Sequence, residues 1–579
     1  MSTGDPQFSV QRRDLLKGAA ALAGAAAVPA KGADSKQARP DYETDIICVG
    51  GGAAALSAAV TAAAGGARVI VVERLPVLGG TTAKSGGVMW IPNNFMMRQK
   101  GTVDDKNVCL RYMARYSDPI AFNPEAPLFG LDESAYRLLE AYYDNATTMV
   151  DHLRSVGALR LTSSNSHGTY VPDYLSHVED PKVSTGRPLA PVLADGSVGQ
   201  GSDLIAQLEA WLSEHGVKIL TDHRVTELLM NGGSVVGVQA NVDEKTMRIA
   251  ARKAVIFGSG GYVHNVELVR RHQAVFIYGS CAQAGSTGDF ISLAGRIGAQ
   301  MGNLANAWRV PVFLEQAVQN RQIGFPPFIL TGDSMIVVNS KGRRVVNEKR
   351  NYHDRSSVQL ALDPNYADYP NHLLFLIYDQ RTADLFAGSQ PYPQNPNQSY
   401  IIRGGDWAEL GRNLAARLGK LASHTGGARL APEFVETLRG TVQLFNGFAR
   451  AGRDDDFQRG AFDYDRAQER AYGVKLSGRG WPTDEAKPNN TMYPFQPKGP
   501  YYAIIMAPGA LDTNGGPVIN EKAQVVGYDN RPIPRLYGAG NCIAAPTRRA
   551  YCGGGGTIGP AMTFGYIAAQ QALRESATS

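Results

Sequence analysis

Three observations in the 579-residue sequence predict an α/β fold whose main domain is interrupted by an inserted α+β domain. Residues 45–73 have the pattern of a strand, a glycine turn, a helix and a second strand. Two later strands, in residues 253–261 and 535–542, also run into glycines. The sequence pattern of residues 309–497 differs from the pattern of these glycine-containing segments. We therefore predict one Rossmann-like domain assembled from segments that are distant in the sequence.

The first unit begins with an apolar run, Asp45–Val49, that predicts a β-strand. The alanine-rich segment Ala53–Ala64 predicts a helix, and Gly65 and Gly66 predict its end. Arg68–Val72 predicts the second strand. A complete βαβ unit in so short a segment is typical of dinucleotide-binding domains.

The residues of the first turn suit a pyrophosphate. Gly50 allows the tight turn, Gly52 allows the pyrophosphate to approach the backbone, and Ala55 allows the helix to pack closely on the strand. The free N–H groups at the helix N-terminus favour negative charge. Glu73, at the end of the second strand, is placed to bind a ribose hydroxyl.

A second glycine-rich loop distinguishes FAD from NAD. Residues 78–87, "LGGTTAKSGG", lie just after Glu73. FAD has a ribityl arm and an isoalloxazine ring that need such a loop, so we predict FAD as the cofactor. The sequence has no mark of a nicotinamide site, and we expect a quinone or another carrier to accept the electrons.

The inserted segment carries short apolar runs in residues 334–348 and 372–379, each of which predicts a strand. Residues 449–470 are rich in charge and are interpreted as a solvated helix or loop. The predicted domains are an FAD-binding domain formed by residues 43–308 and 498–579, and an inserted catalytic domain formed by residues 309–497.

The first 30 residues have the pattern of a twin-arginine signal peptide, and residues 31–42 that of a linker. Arg12 and Arg13 precede an alanine-rich apolar stretch that ends in a small-residue cleavage pattern. Because this export route carries folded proteins, we expect a periplasmic protein, with a cytoplasmic location as the alternative.

Composition excludes several classes of function. A formal net charge of +5 is small for this length and indicates no nucleic-acid partner. The five cysteines form no CxxC pair, so we expect no metal site. After the leader, no apolar run is long enough to span a membrane.

Several longer segments resemble a known family, the 3-ketosteroid Δ1-dehydrogenases, within the flavoprotein group that includes the soluble fumarate reductases. The most specific matches are "GGTTAKSGGVMWIPNN" and "GGGGTIGPAMTFGYIAA", and further matches include "GSGGYVHN", "GSTGDFISLAGRIGA" and "NSKGRRVVNEKRNYHD". The resemblance covers almost all of the chain after the leader. The candidate cofactor-binding residues in the chain are Gly50, Gly52, Ala53, Ala54, Glu73, Arg74, Gly80, Thr81, Thr82, Ser85, Gly86, Gly87, Gly260, Gly261, Asp289, Gly540, Asn541, Thr557 and Ile558.

The resemblance implies a C1–C2 desaturation of a 3-ketosteroid or related cyclic ketone. It implies that the Tyr551 hydroxyl and the Gly555 N–H hold the carbonyl oxygen, as paired donors that stabilise an enolate. Tyr352 falls at the position of the base that removes the C2 proton, while C1 gives a hydride to flavin N5. Tyr174 falls at the position of a supporting tyrosine, with Tyr170 as a competitor for that role.

Some residues depart from the family pattern. The family commonly has Tyr-Pro-Gly-Pro-Gly where this chain has Tyr-Cys-Gly-Gly-Gly at residues 551–555, and Arg548 and Arg549 are unexpected beside a steroid pocket. These changes leave open another substrate, such as a cyclohexanone or a sterol with an intact side chain. His353, beside the candidate base, is either a proton relay or an ordinary surface histidine.

Two other functions stay open. A periplasmic reductase of fumarate or urocanate needs cations for carboxylates and a histidine in the loop of residues 508–516, where this chain has Asp512. A flavin-binding protein without chemistry of its own is the other possibility, and turnover of any ketone would exclude it.

Overall fold

The computed structural model describes residues 39–164, 171–178, 186–472 and 488–577. The predicted signal peptide, most of the predicted linker and Tyr170 lie outside the described residues, so the export signal stays a prediction. Residues from Asp41 onward belong to one compact unit.

The first sheet is the predicted Rossmann-like sheet, and most of its strand pairs are parallel. Tyr42–Val49 lies between Val69–Val72 and Lys245–Phe257, and it is parallel to both. Ser234–Val242 and Lys245–Phe257 form an antiparallel hairpin. In spatial order the strands are Gln524–Val526, Pro532–Gly538, Lys245–Phe257, Tyr42–Val49, Val69–Val72 and Lys218–Leu220. Ser234–Val242 also pairs with Lys245–Phe257, and Arg224–Asn231 pairs with Ser234–Val242.

Two helices pack together against this sheet. The helix Ala53–Ala64 has the predicted bounds, and its small residues are almost all buried. The C-terminal helix Ile558–Leu573 packs directly on it, and a Cβ at Gly565 would overlap the Ala54 carbonyl. Small side chains on both helices therefore allow the backbones to approach closely.

The second sheet is built around the long strand Tyr501–Thr513. This strand pairs with Gly279–Ser280, Ala307–Phe313, Leu374–Asp379 and Ile401–Gly404, and Met335–Val338 extends the sheet beyond Leu374–Asp379. Alternate residues of its inner strands belong to two different buried clusters. Burial on both faces explains why these strands have unbroken apolar sequences.

The second sheet draws its strands from more than the inserted segment. Gly279–Ser280 and Tyr501–Thr513 precede and follow residues 309–497 in the sequence. The domain limits given above stay a prediction.

Two small sheets and further helices complete the described fold. In one small sheet Pro188–Pro191 lies between Met89–Trp90 and Leu161–Ser163, and in the other Met301–Gly302 pairs with Gly516–Pro517. The other α-helices are Phe95–Gln99, Lys106–Ser117, Glu133–Ser155, Gly201–Glu214, Val266–His272, Asp289–Arg296, Leu314–Gln319, Tyr352–Ser356, Gln380–Leu385, Trp407–Lys420, Ala422–Thr425, Phe434–Ala451 and Asp463–Tyr472. Among the helices of the described ranges, none is long and apolar enough to cross a membrane.

The interpretation of residues 449–470 as a solvated segment is wrong for part of the segment: Arg453, Asp455 and Asp463 are exposed, but other charged residues are not. Asp454, Arg459 and Asp465 are all buried. Asp454 pairs with Arg344 at 2.8 Å, and Arg459 also donates to backbone carbonyls of the second-sheet region. These buried charges pair with oppositely charged residues from elsewhere in the chain, such as Arg344 and Glu348, which a count of charged residues does not reveal.

Candidate active site

A cavity of about 640 Å³ brings the glycine-rich loops together with residues of the inserted segment. All four predicted catalytic residues, Tyr174, Tyr352, Tyr551 and Gly555, line it. The predicted cofactor-binding residues that line it are Gly50, Gly52, Ala53, Ala54, Glu73, Arg74, Gly80, Thr81, Thr82, Ser85, Gly86, Gly260, Asp289, Gly540, Asn541, Thr557 and Ile558.

The first glycine turn has the space that a pyrophosphate needs. Gly50 has a φ of +117°, and a Cβ there would lie 2.5 Å from the Gly258 carbonyl oxygen. Gly52 has a different role, since a Cβ there would meet no atom closer than the Thr82 hydroxyl at 3.8 Å. Gly52 also begins the helix without a side-chain cap. Gly52 and Ala53 line the cavity, and the Ala53 N–H donates to the Thr82 hydroxyl at 3.3 Å, so the start of the helix lies where a pyrophosphate would bind.

Two acids lie at the adenosine end of this cradle. Glu73 is buried, accepts the Leu75 N–H at 2.8 Å, and has a pKa raised by burial. Asp289 accepts two hydrogen bonds from Arg224, both at 2.9 Å. Burial alone would raise the pKa of Asp289, but the Arg224 guanidinium outweighs it and the pKa is lowered. Asp289 therefore faces the cavity already paired with a cation.

Gly87 and Gly261 do not line the cavity, although both were predicted to bind the cofactor. A Cβ at Gly87 would lie 2.6 Å from the Gln200 backbone. The Gly261 N–H donates to Asp512 at 2.9 Å, and a Cβ there would overlap the Asp512 and Thr513 side chains. The structure places both glycines where two segments pack closely.

Asp512 is a cavity residue that the sequence did not assign to the cofactor site. It is fully buried, and it accepts hydrogen bonds from the Gly261 N–H and from the Ser286 hydroxyl at 3.0 Å. Burial raises the pKa of Asp512 to about 6. It lies on the strand Tyr501–Thr513 and joins that strand to the loops of Gly261 and Ser286, whereas the sequence singled it out only as a residue in place of a histidine.

The three predicted tyrosines form one cluster. The hydroxyl oxygens of Tyr352 and Tyr551 are 2.7 Å apart, and those of Tyr174 and Tyr352 are 3.4 Å apart. The rings of Tyr174 and Tyr551 are stacked with centroids 5.5 Å apart. Burial raises the pKa of Tyr551 to about 12. It also raises the pKa of Tyr352 well above the ordinary value of 10. The phenols of Tyr352 and Tyr551 are therefore neutral in the free protein near pH 7.

Backbone contacts fix the position of Tyr551 and of the glycines after it. The Cys552 carbonyl accepts the Tyr112 hydroxyl at 2.6 Å and the Tyr174 N–H at 3.1 Å. Gly555 has a φ of +87° and its carbonyl accepts the Trp90 N–H at 3.0 Å. The Gly555 N–H has no acceptor within the described ranges. A donor is thus left free at the cavity wall beside Tyr551.

Tyr352 begins the short helix Tyr352–Ser356, which Asn351 caps by accepting the Asp354 N–H at 3.0 Å. His353 is buried on the other side of that helix, not on the surface. Its Nδ1 accepts the Arg309 N–H at 3.1 Å, and its Nε2 lies 3.1 Å from the Arg549 carbonyl oxygen. Burial lowers the pKa of His353 to about 4, so both nitrogens serve backbone contacts in the neutral ring.

The unexpected arginine pair lies outside the cavity. Arg548 pairs with Asp118 at 2.9 Å and also with Asp132, and neither Arg548 nor Arg549 lines the site. Trp308 is a wall residue, whereas Trp90 is buried behind the wall and donates to Asp173 at 2.9 Å. The arginines therefore supply no cation for a bound carboxylate.

Sequence reasoning missed most of the wall contributed by the inserted segment. The residues concerned are spread along the sequence and form no motif, so no local signal could have found them. They are Phe325, Phe328, Ile329, Thr331, Ser389, Gln390, Tyr464 and Gln468. Within the described ranges, no group of three potential metal ligands is found.

Comparison with known proteins defines the class of this fold and site. Residues 45–558 match the family described as "FAD binding domain", and the chain belongs to that family. Its cofactor is FAD, and the open space at Gly52, at the start of the cavity-lining helix Ala53–Ala64, fits that molecule. The chain is an FAD-dependent oxidoreductase that acts on CH–CH groups and is similar to the 3-oxosteroid 1-dehydrogenases.

Individual relatives support this assignment. The chain is 32% identical to a 3-oxosteroid 1-dehydrogenase of Mycolicibacterium smegmatis, over 93% of this chain and 98% of the relative. It is 30% identical to a 4-oxocyclohexanecarboxylate 2-dehydrogenase of Sinomonas cyclohexanicum, over 88% and 89%. A 3-ketosteroid Δ1-dehydrogenase structure from Sterolibacterium denitrificans has the same fold, with a TM-score of 0.74, 24% identity, and coverage of 92% and 99%.

Proposed function

We propose that the protein introduces a double bond next to the carbonyl of a cyclic ketone, and that a 3-ketosteroid is the leading substrate. The observation that carries this proposal is the arrangement of Tyr352, Tyr551 and the free Gly555 N–H on one cavity wall. It places a base and two hydrogen-bond donors for an oxyanion around one carbonyl group of the substrate and the carbon next to it. A 3-oxosteroid 1-dehydrogenase among the relatives supports the steroid as substrate.

The Tyr551 hydroxyl and the Gly555 N–H would hold the carbonyl oxygen and stabilise the enolate. A proton on the neighbouring carbon becomes more acidic as the carbonyl is polarised, and Tyr352 would remove it. The bound FAD supplies the hydride acceptor. The Tyr174 hydroxyl lies 3.4 Å from that of Tyr352. It would stabilise Tyr352 after Tyr352 has lost its phenolic proton.

A smaller ring is the second candidate substrate. The relative that acts on 4-oxocyclohexanecarboxylate supports it, as does the replacement of the family prolines by Cys552 and Gly554. The pairing of Arg548 with Asp118 and Asp132 counts against a carboxylate at this wall. We therefore favour a neutral ketone.

Anaerobic reduction of the bound flavin, followed at its visible absorbance band, tests the proposal. The ketones to compare are androst-4-ene-3,17-dione, cyclohexanone and 4-oxocyclohexanecarboxylate, with succinate as the control. We expect the steroid to bleach the flavin fastest, and a soluble quinone to reoxidise it. If no ketone bleaches the flavin, but fumarate reoxidises the chemically reduced enzyme, the proposal is wrong.

A further inference from the structure

Gln468 is a cavity residue with an unused hydrogen-bonding group. It lies on the helix Asp463–Tyr472 and is 8% exposed. Its Nε2 donates to the Tyr464 hydroxyl at 2.8 Å. Its Oε1 is buried and has no hydrogen-bond partner within the described ranges. Buried polar atoms are nearly always paired, so this oxygen calls for a ligand donor.

Neighbouring contacts place Gln468 on the substrate side of the cavity. Glu469, the next residue, binds the Lys349 ammonium at 2.7 Å, and Lys349 also donates to the Leu330 and Gly332 carbonyls. These carbonyls flank Thr331, which lines the same cavity. The helix is therefore held against the segment that forms the inserted wall.

Aromatic packing sets the distance of Gln468 from the reacting end. Tyr464, to which Gln468 is bonded, packs edge-on against Tyr174 with centroids 5.3 Å apart. Tyr174 in turn stacks on Tyr551. Gln468 thus lies one aromatic layer beyond the tyrosine cluster, where it can meet a substituent remote from the reacting carbonyl.

We propose that Gln468 determines specificity by accepting a hydrogen bond from a hydroxyl group on the part of the substrate remote from the ring ketone. This inference rests on the proposed function and names the substrate class more closely: a hydroxylated cyclic ketone. A ketone at the same place offers no proton to Oε1, and a carboxylate would oppose it with a second acceptor. A site whose buried acceptor stays unpaired discriminates against the analogue that lacks the donor.

Two steroids that differ only at C17 test the inference in the FAD-loaded enzyme. They are 17β-hydroxyandrost-4-en-3-one and androst-4-ene-3,17-dione. We expect wild type to prefer the hydroxysteroid in kcat/KM. Gln468→Met, which keeps the length of the side chain, should lose about tenfold toward the hydroxysteroid and less than twofold toward the dione. Gln468→Glu keeps an acceptor and should retain the preference.

The matched control is Gln359→Met. Gln359 is also buried, with 1% of its surface exposed, its Oε1 is also unpaired within the described ranges, and it does not line the cavity. It should leave the ratio of the two steroids unchanged. An equal loss for both steroids in Gln468→Met, or no change for either, would overturn the inference. Failure of both steroids to reduce wild-type flavin would instead refute steroid desaturation.

Discussion

At the scale of single residues, the proposed mechanism divides two tasks between the neighbouring hydroxyls of the tyrosine cluster. Under this proposal, Tyr551→Phe removes one of two carbonyl donors, and Tyr352→Phe removes the base. We expect each to slow flavin reduction by a ketone by at least about 10²-fold, because each lost group acts in the transition state. FAD should stay bound in both variants. Tyr528→Phe is the control, since Tyr528 is exposed and outside the cavity; an equal effect there would contradict the assignment.

The neutral state of Tyr352 gives the reaction a pH dependence. Burial raises the pKa of Tyr352 above its ordinary value of 10, so its base form is scarce at pH 7. We expect the rate of flavin reduction at saturating ketone to rise steadily from about pH 7 to pH 10. Stopped-flow absorbance measures it. A rate that is flat across this range would exclude Tyr352 deprotonation as part of the limiting step.

At the scale of elements, two glycines of the first turn have different roles, one in folding and the other in cofactor binding. Gly50→Ala should prevent folding, because φ is +117° and its Cβ would overlap the Gly258 carbonyl. Gly52→Ala should leave the unfolding temperature of the apoprotein unchanged, since its Cβ projects into free space, but weaken FAD binding. Thermal unfolding of the apoprotein and fluorescence titration with FAD distinguish the two. Normal FAD affinity in Gly52→Ala would mean that the pyrophosphate does not approach this turn.

The helix Tyr352–Ser356 makes the fold sensitive to acid through His353. Its pKa is lowered by burial from 6.5 to about 4 in the folded protein. The unfolded chain therefore binds more protons between pH 6.5 and 4, and stability falls as the pH falls through that range. This one group accounts for up to about 3 kcal/mol. His353→Gln should be less stable at pH 7.5 but lose less between pH 7.5 and 5, as measured by urea unfolding; an unchanged slope would show that other groups dominate.

At the scale of the whole molecule, the sequence predicted the parts that local physics determines. The turn at Gly50, the helix Ala53–Ala64 and the aromatic residues of the site follow from local motifs and a family resemblance. The burial of Asp454, Arg459 and Asp465 could not be predicted, because it depends on partners more than 100 residues away in the sequence. For the same reason, the positions of Asp512 and Gln468 at the cavity could not be predicted, because they arise only when distant segments meet there.

The cavity joins the two sheets, so FAD should stabilise them together. Glycine loops of the first sheet and wall residues such as Trp308, Thr331 and Leu511 from the second-sheet region share one space. A ligand that binds only the folded protein stabilises it by about 2.7 kcal/mol at 100 times its Kd. We expect the apoprotein to unfold in one transition whose midpoint rises with FAD concentration, as followed by circular dichroism. Two transitions, of which FAD moves only one, would instead show that the sheets fold separately and that the cofactor is held by the first alone.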